Sequence, residues 1–200
     1  MMKFTRPKRP GYLDNYKVWG REYAKKKKEY IEKKRKTPAK WNKKIKQWDQ
    51  LKCDLAKLTV DHCSFCDSYP LVAKHKQTVE HFRPRSIYPK LTFVWHNLFL
   101  SCEICQKKGD RFSEKLLKPD AVGYDFYRYF IINFKTGEIE INTRASKEDQ
   151  ERAKITRIMY GLNNYDRPKA RSDYYSQIRH QKKKINHIDD LSYRFMFDVK

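Results

Sequence analysis

The first third of the chain shows apolar side chains spaced mostly three and four residues apart, as on one face of a helix. Within residues 12–36 this stripe consists of Tyr12, Tyr16, Trp19, Tyr23, Tyr30 and Ile31. Thr37 and Pro38 interrupt it as an N-cap residue followed by proline at the first helical position. A second stripe consists of Trp41, Ile45, Trp48, Leu51, Leu55 and Leu58. The pattern predicts one helix over residues 12–36 and another over residues 38–58.

The middle of the chain changes to a β pattern. Residues 77–82 form a short β-branched and aromatic stretch, which Arg83-Pro84 ends, so we predict a strand there. After a polar loop comes the most apolar stretch of this region, residues 93–100, and then a basic turn or helix in the sequence QKKGDRF.

The last third predicts a hairpin followed by helices. The sequence YDFYRYFIINFKTGEIEIN reads as a hairpin with Thr136-Gly137 at its turn. Residues 147–160 read as a helix, and a longer basic helix follows within residues 161–188. The predicted fold class is α+β. We divide the chain into a basic helical extension (1–60), a central core (61–120) and a hairpin with helices (121–200) that belongs to the same domain.

Charge narrows the choice of partner. Lysine and arginine total 46 against 24 acidic residues, a net charge of +22 over 200 residues, and the basic residues are concentrated in the first helices. A polyanion is the natural partner for such a chain, and nucleic acid is the first choice. An anionic membrane surface stays open, although no apolar run is long enough to span a bilayer. For any single lysine a solvated helix face is the better interpretation, whereas for the basic face as a whole we favour a phosphate-backbone or partner surface. The first residues carry no secretory signal pattern, so we expect a cytoplasmic protein.

Four of the five cysteines form two CxxC pairs, Cys63 with Cys66 and Cys102 with Cys105. Disulfides are rare in the cytoplasm, so the spacing predicts one zinc ion held by four thiolates. Unpaired buried cysteines or a single redox CxxC are the alternatives. A site with four protein ligands has no open position, so the zinc would be structural. Cys53 lies outside the pattern and is predicted to be a thiol in the core.

Three motifs between and around these cysteines carry a resemblance to a known family. TVEHFRPR, then WHNL, then SCEIC followed by QKKG resemble, in order and spacing, the core of HNH endonucleases, the ββα-metal fold. The resemblance covers residues 61–112. Within the family the chain is most similar to the HNH nuclease subunits of Septu-type antiphage systems, which also occur beside some retrons. The resemblance implies a ββα-metal core with a structural zinc.

The resemblance also implies roles for individual residues. His81 takes the position of the general base, and Glu80 that of a ligand to a catalytic divalent ion. Asn97 takes the position of a carboxamide that fixes the loop carrying the histidine. Gln106 stands where a histidine or asparagine supplies the second metal ligand. Four basic residues surround these positions as candidates to contact substrate phosphates: Arg83, Arg85, Lys107 and Lys108.

Elementary chemistry is compatible with those roles under one condition. A neutral imidazole suits a base at pH 7, and carboxylate and carboxamide oxygens suit Mg²⁺ or Mn²⁺. Neighbouring strand residues point to opposite faces, so Glu80 and His81 can act on one phosphate only if the strand bends there. Arg83-Pro84 offers a reason for a bend. Two further histidines, His75 and His96, are predicted to be structural or to face phosphate.

Two classes of function follow from this pattern. The first is a metal-dependent endonuclease that cleaves DNA or RNA. The second is a zinc-stabilised nucleic-acid-binding module with a degenerate HNH core, which the unusual Gln106 favours. The resemblance also implies an ATPase partner in a hetero-oligomer. The sequence is consistent with this, because the chain carries no nucleotide-binding motif of its own. The aromatic, basic helices at residues 12–58 are the candidate docking surface; alternatively, Trp19, Trp41 and Trp48 only pack these helices onto the core.

Overall fold

A computed structural model describes residues 1–32, 44–71, 77–180 and 187–198, and confirms the expected mixture of helices with small sheets. The helices within these ranges are α1 (Tyr16–Glu32), α2 (Trp48–Thr59), α3 (Glu103–Gln106), α4 (Phe126–Tyr129), α5 (Lys147–Met159) and α6 (Arg167–His180). The strands are β1 (Gln77–His81), β2 (Leu98–Cys102), β3 (Phe130–Ile132) and β4 (Ile139–Ile141). They form two antiparallel pairs, β1 with β2 and β3 with β4. The predicted three-part division of the chain stays a prediction.

The first helix begins later than predicted. Residues 11–13 form a 3₁₀ turn, and α1 starts at Tyr16. The helix lies against the turn Pro89–Leu91, which follows β1 in the chain. Gly20 makes this approach possible, because a Cβ atom there would lie 2.4 Å from the carbonyl oxygen of Lys90. The absence of a side chain on Gly20 therefore fixes how closely α1 approaches the loop between β1 and β2.

The second predicted helix, residues 38–58, is too long at its start. Residues 44–47 are not in an α-helix and α2 begins at Trp48, while residues 38–43 lie outside the described ranges. Three of the predicted apolar positions, Ile45, Leu51 and Leu55, are fully buried. Cys53 is exposed, so the prediction of a core thiol is wrong. At about 100° per residue, Cys53 lies on the side of α2 opposite the buried stripe.

In the β1–β2 pair, Val79 lies opposite Leu100, Glu80 opposite Phe99 and His81 opposite Leu98. Every residue of β2 is buried, and α2 packs on this strand. After β2 the chain makes one helical turn, α3, whose start is capped by the sulfur of Cys102 accepting from the Cys105 amide. The second cysteine pair therefore begins at the last residue of β2, Cys102, and continues with Cys105 in α3.

The predicted hairpin is shorter than expected. Residues 126–129 are helical because the carboxylate of Asp125 accepts hydrogen bonds from the Tyr127 and Arg128 amides and so caps α4. Only β3 and β4 form the hairpin, and Gly137 lies in its turn at φ 74°. The helix predicted at residues 147–160 is confirmed as α5, with Ser146 as its N-cap. The long basic helix is α6, which begins at Arg167.

The C-terminal residues pack back onto the first cysteine pair. The guanidinium of Arg194 donates to the carboxylate of Asp67 at 2.7 Å, and the Tyr193 amide donates to the Asp67 carbonyl. The imidazole of His62 lies 2.9 Å from the Leu191 carbonyl. Phe65 stacks on Tyr160 with ring centroids 3.9 Å apart. Side chains from distant parts of the sequence therefore enclose the CxxC loop at residues 63–66. Within the described ranges, no helix combines the length and apolarity that crossing a membrane requires.

Candidate metal and active site

The two CxxC pairs meet in the core. The sulfur atoms of Cys63, Cys66, Cys102 and Cys105 all lie within 4.8 Å of one another, and all four residues are buried. The Cys66 and Cys102 sulfurs are 3.7 Å apart. Tetrahedral ligands at a zinc–sulfur distance of about 2.3 Å would be separated by about 3.8 Å. The cluster therefore has the donor set and the dimensions of a four-thiolate zinc site, as the sequence predicted.

Polar groups around the cysteine cluster suit ionised sulfurs. The Cys102 amide donates to the Cys63 sulfur at 3.4 Å, and the guanidinium of Arg167 donates to the Cys105 sulfur at 3.3 Å. Hydrogen bonds of this kind stabilise thiolate ligands and orient them. Arg167 begins α6, 62 residues after Cys105, so no local sequence signal marks this contact.

A second, separate group of polar residues lies at the end of β1. Glu80, His81 and Gln106 line one cavity of about 190 Å³ together with Arg85 and Asp110. The strand ends at His81 and the chain turns at Pro84, which also lines the cavity. Glu80 and His81 therefore border the same cavity although they are neighbours on a strand. The bend that would let both side chains act on one phosphate stays a prediction.

Glu80 is held by a buried lysine. The Lys108 ammonium lies 2.9 Å from Glu80 Oε1, and neither side chain is appreciably exposed. Burial raises the pKa of Glu80 to about 7, while the charge of Lys108 opposes this shift. The ammonium also lies near the carbonyls of His81 and Phe82. Lys108 was predicted to contact substrate phosphate. In this structure its side chain is enclosed and its ammonium contacts Glu80 and backbone carbonyls, so a contact with substrate phosphate stays a prediction.

His81 is neutral and oriented. Burial lowers the pKa of His81 to about 4, a shift that the hydrogen bond to Thr92 opposes and the charges of Arg85 and Lys108 reinforce. Its Nε2 atom lies 3.0 Å from the Thr92 carbonyl oxygen. Because a carbonyl can only accept, Nε2 carries the proton, and in that tautomer the lone pair of the neutral ring is on Nδ1.

Asn97 is fully occupied in fixing the loop after β1. Its Oδ1 accepts from the Arg83 amide at 2.7 Å, and its Nδ2 donates to the carbonyls of Arg83 and Leu91. The side chain is buried. These bonds hold both ends of the segment between Arg83 and Leu91, which places Asn97 as a positioning residue for the segment next to His81.

No family model matches the chain, and the search of curated proteins finds no match. What each cluster can bind therefore follows from the chemistry of its own side chains. One cluster has four sulfurs and no open position. The other has a neutral imidazole, carboxylates, a carboxamide and a guanidinium around a polar cavity, which is a set of groups suited to a phosphate ester and a divalent cation.

Gln106 contributes to the cavity from α3. The side chain is half-buried, and its Nε2 lies 3.5 Å from the Val79 carbonyl. Donation in that direction leaves the carboxamide oxygen as the group available to a cation.

Asp110 is a cavity residue that the sequence analysis did not single out. It accepts a short hydrogen bond from the Ser86 hydroxyl, and it is exposed at the cavity mouth. The residue follows Gly109, whose φ of 59° turns the chain back toward β1. The signal that could have found it is the sequence KGD at residues 108–110, which begins two residues after the candidate ligand Gln106.

The remaining candidates for phosphate contact lie in different surroundings. Arg85 lines the cavity, with its guanidinium donating to the Tyr23 hydroxyl at 2.6 Å. Arg83 pairs with Glu114 at 2.6 Å, and Lys107 is exposed over the ring of Tyr165. Arg85 is therefore the best placed of the four basic residues. His96 is exposed outside this cavity, and His75 lies outside the described residues.

Proposed function

We propose that this protein is a metal-dependent endonuclease of the HNH type that hydrolyses phosphodiester bonds in nucleic acid. The observation that carries the proposal is the cavity where a neutral, oriented His81 meets Glu80, Gln106 and Arg85. The antiparallel β1–β2 pair followed by α3 supports a ββα-metal core. The +22 charge suits a polyanionic substrate.

In this proposal His81 is the general base. Its Nδ1 lone pair accepts a proton from the water that attacks phosphorus, while Nε2 stays bonded to the Thr92 carbonyl and keeps the ring in place. Asn97 maintains the loop geometry next to it. Arg85 lies where it can meet a phosphate oxygen.

Glu80 and Gln106, with Asp110 at the mouth, are the residues that would hold Mg²⁺ or Mn²⁺. Carboxylate and carboxamide oxygens match the preference of these ions. A divalent ion there would supply charge stabilisation for the phosphate oxygens and the leaving group. The four-cysteine zinc has a different task, which is to hold α3 and the loop of residues 63–66 against the strand pair.

The decisive experiment is a cleavage assay on plasmid DNA and on RNA with Mg²⁺ or Mn²⁺. His81→Ala should abolish cleavage while zinc content and circular dichroism stay unchanged. His96→Ala is the matched control, since this histidine is exposed outside the cavity, and it should cleave at the native rate. Native-rate cleavage by His81→Ala would refute the assignment.

A second candidate function is a zinc-stabilised binding module without catalysis. The observation that favours it is the ion pair between Glu80 and Lys108, because an ammonium at 2.9 Å already neutralises the carboxylate that a divalent ion would need. This alternative predicts no cleavage with either metal. It also predicts binding to nucleic acid that weakens as salt concentration rises.

We further propose that the chain is a cytoplasmic effector of an antiphage complex, with an ATPase as its partner subunit. The support is the resemblance to Septu-type nucleases and the lack of a nucleotide-binding motif in the sequence. Trp19 packs edge-to-face on Phe93, and Trp48 packs against the core, so these two side chains serve the fold. Trp41 lies outside the described residues. The exposed lysines of α1 are the better docking candidates: Lys25, Lys26 and Lys28.

Copurification of the tagged chain with the products of its neighbouring genes tests for an ATPase partner. Reversing the charge of Lys25, Lys26 and Lys28 should weaken that complex in a salt-dependent manner if α1 is the docking surface. Deleting residues 1–36 is a poorer test, because removal of Trp19 would uncover the core. An unchanged complex after charge reversal would rule out electrostatic docking on α1.

A further inference from the structure

A second cavity adjoins the candidate active site. It has a volume of about 270 Å³ and lies between α1, residues 85–86 after β1, and Asp110 after α3. Arg85 and Asp110 line both cavities, so the two cavities adjoin at these side chains. A ligand in the second cavity would therefore share the Arg85 side chain with a phosphate bound near His81.

The walls of the second cavity are largely aromatic and aliphatic. Tyr23, Tyr30 and Ile31 contribute them from one side of α1. Tyr30 is half-buried, and Ile31 is 64% exposed. Tyr23 is held rigidly, with its ring edge-to-face with Phe93 at 6.2 Å and its hydroxyl accepting from Arg85. A flat apolar ligand could enter against Tyr30 and Ile31 without disturbing the core.

Cationic groups lie at the rim of these walls. Lys27 donates to the Ser86 carbonyl, and Arg85 is fixed by Tyr23. The combination of an apolar slot with lysine and arginine beside it is complementary to a nucleotide, which has a flat base and an anionic phosphate.

The position of α1 is set by backbone packing. A Cβ atom on Gly20 would approach the Lys90 carbonyl oxygen to 2.4 Å, so the helix is in direct contact with the loop between β1 and β2. Tyr23 and Tyr30 lie on this same helix, one and three turns further along. The cavity is therefore part of the packed structure where α1 meets the loop of the candidate active site.

We infer that this cavity accepts an unpaired base of a single-stranded nucleic acid, next to the phosphate that is cleaved. The inference rests on the proposed function and deepens it. A base in a duplex is stacked on both faces and cannot enter a side pocket, whereas an unpaired base can stack on tyrosine. The Tyr30 ring would supply the stacking surface, and Arg85 would bridge the base pocket to the phosphate.

The test is a binding measurement without divalent ions, so that cleavage does not enter. The probes are a 12-residue thymidine strand, the same length of uridine strand, and a 12-residue strand of abasic tetrahydrofuran phosphates. All three carry the same phosphate backbone charge, but the last has no bases. Fluorescence anisotropy at one fixed salt concentration gives the dissociation constants.

We expect Tyr30→Ala to weaken binding of the thymidine or uridine strand by about 5- to 150-fold, the range of one lost base–aromatic stack. Binding of the abasic strand should change little. Tyr30→Phe keeps the ring and should bind like the native chain. Tyr165→Ala is the control, since it removes a 73% exposed ring that lines neither cavity.

Three outcomes would overturn the inference: equal losses for the base-containing and abasic strands, no loss with Tyr30→Ala, or no measurable binding of either base-containing strand by the native chain. The proposed function is tested separately by cleavage. Cleavage of duplex DNA that depends on His81, together with no single-strand binding, would retain the nuclease and remove the base pocket. Base-dependent binding without cleavage would retain the base pocket and remove the nuclease assignment.

Discussion

At the scale of single residues, the ion pair between Lys108 and Glu80 is the most consequential contact near the candidate active site. Both side chains are buried, so each charge depends on the other. Removal of one partner from a buried pair typically costs about 3–5 kcal/mol because the remaining charge has lost its compensation. The pair therefore links the stability of the β1 end to the chemistry proposed for Glu80.

Lys108→Met should accordingly lower the free energy of unfolding by about 3–5 kcal/mol at pH 8, where Glu80 is ionised. The double variant Glu80→Gln with Lys108→Met should recover most of that loss, since it buries no charge. Urea denaturation of the native chain, Lys108→Met, Glu80→Gln and the double variant gives the coupling energy. Additive effects of the two single substitutions would show that the pair does not act as a unit.

His81 predicts a pH dependence of stability. Its pKa is about 4 in the folded chain against an ordinary value of 6.5, so the unfolded chain binds a proton first as the pH falls. Stability from this group is present above pH 6.5 and is lost toward pH 4. Acidification from pH 7 to pH 5 should cost the native chain about 2 kcal/mol more than it costs His81→Asn, by urea denaturation.

The raised pKa of Glu80 has the opposite effect: acidification stabilises the folded chain through this group, because the folded chain holds a proton that the unfolded chain has released. This contribution is common to both proteins and cancels in the comparison. His187→Asn, at an exposed histidine, is the control and should follow the native pH dependence. An identical acid response of native chain and His81→Asn would contradict a depressed pKa at His81.

At the scale of elements, the hairpin turn and α6 are locked together. A Cβ atom on Gly137 would lie 1.9 Å from the Pro168 carbonyl oxygen, and the backbone there has φ 74°. The buried guanidinium of Arg171 completes the contact by donating to the Gly137 carbonyl at 2.6 Å and to the Leu162 carbonyl. The turn glycine is required both by conformation and by space.

Gly137→Ala should therefore destabilise the chain by about 2–5 kcal/mol, the sum of left-handed strain and steric overlap. Gly123→Ala is a matched control, because Gly123 has φ 77° but nothing lies within 4 Å of a Cβ atom there. It should show only the strain, about 1 kcal/mol. Thermal unfolding of both variants distinguishes the two contributions, and equal losses would contradict the steric one.

The elements also show what the sequence could reveal. The sequence predicted the buried stripe of α2, the helix α5 and the strand at Gln77, because these depend on local patterns along the chain. It placed the start of α1 and α2 too early and assigned helix α4 to a strand. Those boundaries depend on packing partners and on the cap from Asp125, which compete with propensity over a few residues.

The candidate site also has features that the sequence could predict and features that it could not. The CxxC spacing was enough to predict the four sulfurs that the structure brings together. The burial of Lys108 could not be predicted from spacing, since it follows from how the turn after α3 folds back on β1. Arg167 reaches Cys105 from 62 residues away, which local sequence cannot show.

At the scale of the whole molecule, the four-cysteine cluster connects α3, the loop of residues 63–66 and the C-terminal residues that pack on it. We expect about one zinc per chain, by elemental analysis of the purified protein. Cys102→Ser should lose the zinc and unfold or become insoluble, because the binding energy of structural zinc contributes to folding. Cys53→Ser, at the exposed thiol outside the cluster, should keep both zinc and fold. Well-folded native protein without zinc would contradict this assignment.

The two cysteine pairs flank the segment that contains β1 and β2, and the cavity lined by Glu80 and His81 lies at the end of β1. We therefore expect the amount of folded protein in a cell to be limited by the supply of zinc. Growth in zinc-depleted medium should lower the soluble yield in proportion to zinc supply, and added magnesium should not restore it. A starved cell would then synthesise the chain and degrade it, and its supply of the protein would follow metal homeostasis as well as gene expression. Equal soluble yield in zinc-depleted and zinc-replete medium would contradict that dependence.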